Sequence, residues 1–383
     1  MRRGLIMIMV ALTASFAANA QDLTLPDPLV MQDGRKVESA TMWTAERRPE
    51  LLELFRTHVY GRVPASKPKN TTINAKANTE GTIVRENVVM TFGGPGGQID
   101  VHAYVLRPAN TTKPVPAFLL INHRDTKTFN PETETNSGFW PAEQIVARGY
   151  AAVILQAQDV DPDAHDEFKN GVHGIFDDPS KPRAGDAWGT IAAWAWGASR
   201  VMDYLEKNDA IDATKVAVLG HSRGGKTALW AGAQDERFAL VISNNSGCTG
   251  AALSRRPVGE TVKNINDKFP HWFCTNYRNF NDREADLPVD QHELIALMAP
   301  RLVYVASATL DNWADPEGEF LACVNANPVY ALLGLPGIDA ASMPAPETPL
   351  HAGHIGYHLR TGKHELSEYD WNQYMDFAKR HWE

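Results

Sequence analysis

A three-layer α/β fold is predicted: a mostly parallel central sheet with an antiparallel N-terminal edge and helices on both faces. Three observations predict it. Residues 116–122 and 150–155 are continuous apolar runs, as strands buried on both faces must be. Such runs alternate along the chain with segments of helical period, the pattern of a parallel sheet crossed by helices. Residues 216–219 lead directly into Gly220-His221-Ser222-Arg223-Gly224 and then into an Ala/Leu/Trp-rich helix, so a serine sits on a sharp strand-to-helix turn between two glycines.

The first twenty residues have a basic start, an apolar stretch and a small-x-small end before Gln21, the plan of a secretory signal peptide. The mature chain is therefore expected to be residues 21–383, one catalytic domain, working as a monomer in a bacterial periplasm or the medium. Residues 44–60 carry apolar side chains at helical spacing up to Gly61. Residues 82–91 and 98–106 alternate around Gly93-Gly94-Pro95-Gly96-Gly97 and read as a hairpin on the antiparallel edge. Strands at 116–122, 150–155, 216–219, 239–243, 301–307 and 355–359 follow, with helices at 141–148, 187–206 and 226–233, and 369–382 as a closing amphipathic helix. Residues 156–183, rich in Asp, His, Pro and Gly, and residues 250–291, rich in aromatic and charged residues, exceed what this plan needs. Long loops at the ends of strands are where α/β enzymes build pockets, so both are assigned to a substrate cleft.

The formal charge of −9 without a long basic run argues against nucleic acid or an anionic membrane as partner. Cys248, Cys274 and Cys323 cannot all pair; an oxidising compartment would permit one bridge, Cys248 with Cys274, and the sequence leaves it open. No Cys/His spacing suits a metal.

The chemistry of the serine turn dictates what else to look for. A serine hydroxyl is a weak nucleophile and needs a positioned base, itself oriented by an acid. With a serine elbow of this kind the chain order is serine, acid, histidine. Asp311 falls just beyond the strand at 301–307, where an orienting carboxylate belongs; Asp315, Glu317 and Glu319 lie deeper, in the start of a helix, where acids are common as capping charges. His364 lies in the loop after the last strand and is the expected base, whereas His351 and His354 precede or open that strand and His358 lies within it.

With these residues, the segments Ser243-Asn244-Asn245-Ser246-Gly247, Phe269-Pro270-His271-Trp272-Phe273-Cys274 and Ala314-Asp315-Pro316-Glu317-Gly318-Glu319 resemble the glucuronoyl esterases, carbohydrate esterase family 15, of α/β-hydrolase fold. The resemblance is strongest over residues 215–371 and looser before. It implies a metal- and cofactor-free serine esterase that cleaves esters of (4-O-methyl-)glucuronic acid, as in lignin-carbohydrate linkages of glucuronoxylan. It further implies Ser222 as nucleophile, Arg223 as an oxyanion-stabilising side chain, His364 as base, Lys226 and Glu260 as partners of uronate hydroxyls and Trp313 beside the sugar. Family members with the acid on the earlier loop have glutamate where this chain has Asn245, so the role is expected to shift to Asp311. Gln291, His271 and Trp272 are further candidates for the cleft. An acetyl xylan esterase or a catalytically weak carbohydrate-binding homologue are the alternatives left open.

Overall fold

A computed structural model describes residues 23–383 apart from 65–67, 69 and 179; the expected signal peptide at 1–20 lies outside the described residues. Nine strands form one sheet in the order β1-β2-β3-β5-β4-β6-β7-β8-β9: β1 (Asn70–Glu80), β2 (Ile83–Gly94), β3 (Gly97–Pro108), β4 (Val115–Asn122), β5 (Ala151–Gln156), β6 (Ile211–His221), β7 (Leu240–Asn244), β8 (Leu302–Ala308) and β9 (Ile355–Arg360). The first three and the β3–β5 pairing are antiparallel, and every pairing from β5 through β9 is parallel. This is the predicted architecture, with one strand added: β1 extends the hairpin.

The apolar runs are explained by the pleat. Successive side chains point to opposite faces, and Ala117, Leu119, Ile121, Val153, Leu155, Val216 and Val218 enter one core with Trp194 and Trp230 from helices Thr190–Leu205 and Arg223–Gln234. Phe118, Leu120, Ala152, Ile154, Ala217 and Leu219 enter the opposite core with Ile145 and Val146 from helix Ala142–Ala147 and Trp371, Tyr374 and Phe377 from helix Glu368–Trp382. A strand that must fill both cores has no place for a polar side chain until it emerges at its C-terminal end.

Those ends carry the polar residues that matter. Ser222 directly follows β6, Asn245 directly follows β7, Asp311 lies three residues beyond β8 and His364 four beyond β9. Because β6, β7, β8 and β9 are sheet neighbours in that order, four distant stretches of sequence open side by side at the carboxyl edge, where parallel α/β sheets bind their ligands. All three cysteines are free and buried, so the bridge the sequence left open is not formed. Among the described residues no helix is long and apolar enough to cross a membrane.

Candidate active site

The turn at Ser222 has the backbone its sequence requires. Ser222 takes φ 57° and ψ −123°, a conformation that costs a non-glycine residue on the order of 1–3 kcal/mol. The turn is tight enough that a Cβ on Gly220 would lie 2.1 Å from the Gly224 carbonyl group, and one on Gly224 would lie 3.0 Å from the Ile121 carbonyl oxygen. The Ser222 amide donates to the Asn244 carbonyl at 2.9 Å, tying the elbow to the end of β7.

A pocket of about 290 Å³ opens above it, and Ser222, Arg223, Lys226, Glu260, Asp311, Trp313 and His364 all line it. The seven residues singled out in the sequence thus meet in one place. His364 Nδ1 bonds Asp311 Oδ2 at 2.6 Å. The loops that carry the pair are zipped together: the Thr309 amide donates to the Arg360 carbonyl at 2.9 Å, and the Leu310 amide to the Gly362 carbonyl at 2.8 Å. Asp311 is 5% exposed. Burial pushes its carboxyl up, but the hydrogen bond and charge of His364 and the hydrogen bond from Asn245 outweigh that and hold it below the ordinary value. The His364 ring also packs 4.5 Å, centroid to centroid, from His221, whose Nδ1 is bonded to Asn244 Oδ1 at 2.7 Å. Burial pushes the His221 imidazole down to about 3, so it stays neutral beside His364 and adds no repulsion when that ring takes a proton.

Asn245, absent from the list of candidates except as a missing acid, has a part of its own. Its Nδ2 donates to Asp311 Oδ2 at 2.9 Å, the same oxygen that holds His364. An asparagine here carries no charge to offer an imidazolium, but its amide fixes the carboxylate that His364 bonds.

On the other side of Ser222, Arg223 Nη1 bonds Asp163 Oδ2, and the guanidinium carbon lies 4.7 Å from the centre of the Trp272 ring and 5.2 Å from that of Phe269. Asp163 Oδ1 accepts from Trp272 Nε1 at 2.8 Å and pairs with His271 Nε2 at 3.0 Å. The stretches 156–183 and 250–291 therefore meet on this one carboxylate. Burial pushes Asp163 up, while His271, the Arg223 charge and Trp272 together bring it far below the ordinary carboxylate range. Sequence reasoning missed Asp163. It stands in an aspartate-rich run with Asp159 and Asp161, and Asp161 is a scaffold residue bonded to His173 and Thr190; nothing local tells the two apart.

Lys226 is 3% exposed, and its Nζ donates to the carbonyls of Ser246 and Cys248 with Glu260 Oε2 3.9 Å away. Burial lowers its pKa, with the Glu260 charge pulling it back. Trp313 is 55% exposed and lines the pocket rather than filling the core. Of the further cleft candidates, Trp272 lines the pocket and His271 supports it through Asp163. Gln291 does not: it is fully buried with Nε2 donating to the Gly250 carbonyl at 2.6 Å, a scaffold contact. His358, bonded to Asp370 and Tyr304, is likewise buried.

Glu319, which the sequence suggested as a capping charge, is instead fully buried, and burial pushes its carboxyl up to about 7 from an ordinary 4.5. A carboxyl whose pKa is raised on folding stabilises the fold fully below its unfolded value, and that contribution is lost as pH rises through the folded value. Between pH 4.5 and 8 the loss is roughly 3 kcal/mol. Glu319→Gln, which does not titrate, is expected to be spared it: denaturant unfolding should show the variant gaining on the wild type by that order at pH 8 relative to pH 5. Equal differences at both pH values would contradict the assignment.

Comparison with known proteins places this arrangement among relatives. The family model described as glucuronyl esterase, fungi, matches residues 94–334. Carbohydrate esterase MZ0003, from an unknown prokaryotic organism, is 45% identical, with 95% of this chain and 91% of that one covered. The glucuronoyl esterase from Solibacter usitatus superimposes with a TM-score of 0.87 at 39% identity, covering 94% of this chain and 98% of that one. The 4-O-methyl-glucuronoyl methylesterase of Phanerochaete carnosa is 30% identical over 82% of this chain and 73% of its own length.

Proposed function

The chain belongs to the glucuronoyl esterases of carbohydrate esterase family 15, and from that premise we propose how its own residues perform the reaction. It is a carboxylic ester hydrolase that cleaves esters of (4-O-methyl-)glucuronic acid, the linkage between glucuronoxylan and an alcohol. The observation that carries the reading is the single pocket in which a strained serine, a histidine held by a buried aspartate, and three groups suited to a sugar acid converge.

Ser222 Oγ attacks the uronate carbonyl carbon while His364 Nε2 takes the hydroxyl proton, and Asp311 holds the ring in the tautomer that leaves Nε2 free. The oxyanion that forms lies against the Arg223 guanidinium, whose Nε is buried without a protein partner. Collapse of the tetrahedral intermediate expels the alcohol oxygen, which takes the proton from His364, and leaves a glucuronoyl ester on Ser222. Water then gives its proton to His364, adds to the same carbon and releases the acid, and Ser222 regains its hydrogen. Lys226 and Glu260 bond the sugar hydroxyls and Trp313 packs on the ring face; one carboxylate and one ammonium suit vicinal hydroxyls, which both donate and accept. Residues 21–383 act as one secreted catalytic domain.

Hydrolysis of benzyl glucuronate and of an acetyl ester, measured side by side, tests this. Ser222→Ala is expected to abolish both, and Lys226→Met to raise KM for the glucuronate ester about tenfold, the loss of one hydrogen bond to a charged group, with the acetyl ester unchanged. Activity confined to the acetyl ester would overturn the uronate reading.

A further inference from the structure

Glu319 lies on the first turn of helix Pro316–Leu332, wholly buried and behind the pocket rather than in it. Its carboxyl meets the turn that follows β7, where Asn245, Gly247 and Thr249 all take left-handed φ values of 46°, 59° and 56°. Backbone that alternates in this way aims consecutive amides to one side and forms a concavity for an anion. Here the amides of Ser246 and Gly247 donate to Glu319 Oε1 at 2.8 and 2.9 Å, and Ser307 Oγ donates to Oε2 at 2.6 Å.

What leaves the turn on its other sides is the active site. The carbonyls of Ser246 and Cys248 accept from Lys226 Nζ, and the Asn245 side chain donates to Asp311. The turn cannot drift without carrying both. A Cβ on Gly247 would sit 3.0 Å from Ala314 Cα, so it is also packed against the loop that bears Trp313.

We propose that Glu319 is a positioning residue which, by clamping the turn at 245–249, holds the catalytic acid and the substrate-binding lysine in place together. This rests on the uronate esterase reading above. The clamp needs an acceptor rather than a charge, since Oε1 accepts the two amides whether the carboxyl is ionised or protonated. A glutamine can do the same, with its amide group donating to Ser307 Oγ.

The test is kcat and KM on benzyl glucuronate, per active site counted by titration of Ser222 with an organophosphonate. Asn245→Ala is expected to lower kcat alone and Lys226→Met to raise KM alone. Glu319→Ala should do both, each by about tenfold or more, the scale of one lost hydrogen bond to a charged group. Glu319→Gln should restore both to within about threefold, well under that scale. On an acetyl ester, Glu319→Ala should lower kcat and leave KM unchanged. Wild-type kcat and KM in titrated Glu319→Ala, with only the melting temperature lowered, would overturn the proposal, as would a glutamine variant as impaired as the alanine. If Glu319→Ala does not fold, Glu319→Asp, which withdraws the acceptor by one methylene while keeping a carboxyl, carries the same decision. A wild type inactive on the uronate ester would instead overturn the reading beneath it.

Discussion

Asp311→Asn is expected to lower kcat on a glucuronate ester by about four orders of magnitude, the cost of losing the acid from a serine triad. The reason is geometric. Asp311 Oδ2 takes both the His364 Nδ1 bond at 2.6 Å and the Asn245 Nδ2 bond at 2.9 Å, so its orientation is fixed from two directions. Both bonds fall on the same oxygen. An asparagine at 311 that put its Nδ2 there would set a donor against the Asn245 amide and hold His364 in the wrong tautomer. One that put its Oδ1 there would keep both bonds but bring no charge to stabilise the imidazolium. The fold should survive, because the substitution is isosteric and the loops at Thr309, Leu310 and Gly362 are joined through backbone groups. Asn245→Ala removes the hydrogen bond that steadies the carboxylate and sets an alanine at a left-handed φ of 46°, and its expected loss is about ten- to a hundredfold in kcat, the scale of a hydrogen bond to a charged group. Steady-state kinetics on the titrated variants check both. A loss below tenfold in Asp311→Asn would mean that another carboxylate orients His364.

That pair of residues also shows what a sequence can and cannot carry. Asp311 and His364 were legible because each follows an apolar strand at a distance set by the fold, and Ser222 because a strained turn demands its glycines. Trp313 was legible as a type suited to a sugar face, although only the structure shows it exposed. Asn245 was legible only as an absence: its neighbours say that an acid is missing, and nothing in a linear sequence says that its amide will meet Asp311. Glu319 looked like a helix-start acid because it is one; its burial comes from the neighbouring turn, which folds over it. β1 escaped notice because its side chains are mostly polar and, from Thr71 on, almost all exposed, so the strand exists through its pairing with β2 rather than through any pattern of its own. A side chain placed just past a strand end is legible even when two loops must meet, as at Asp311 and His364; a meeting of loops that no strand end marks, as at Asp163, is not.

Arg223→Leu is expected to lower kcat by about a hundred- to a thousandfold, the usual cost of removing a group that stabilises an oxyanion. The guanidinium is held in place: Asp163 fixes one end and the Trp272 and Phe269 rings flank it. Asp163 would keep its Trp272 and His271 partners in the variant, so no buried carboxylate is left bare and the fold should hold. Asp163→Asn keeps the guanidinium but loosens it, and a smaller loss of about tenfold should follow, since an ion pair becomes a hydrogen bond from a guanidinium to a neutral amide. The decisive feature is which substrates feel the change. An oxyanion forms on every acyl group, so the Arg223→Leu loss should be the same for a glucuronate ester and an acetyl ester. A group that bonds sugar hydroxyls, as Lys226 does in this reading, should affect the glucuronate ester alone. If Arg223→Leu instead raised KM for the uronate ester and spared the acetyl ester, the arginine would belong to substrate binding, and stabilisation of the oxyanion would fall to the backbone amides at the start of the helix that follows Ser222.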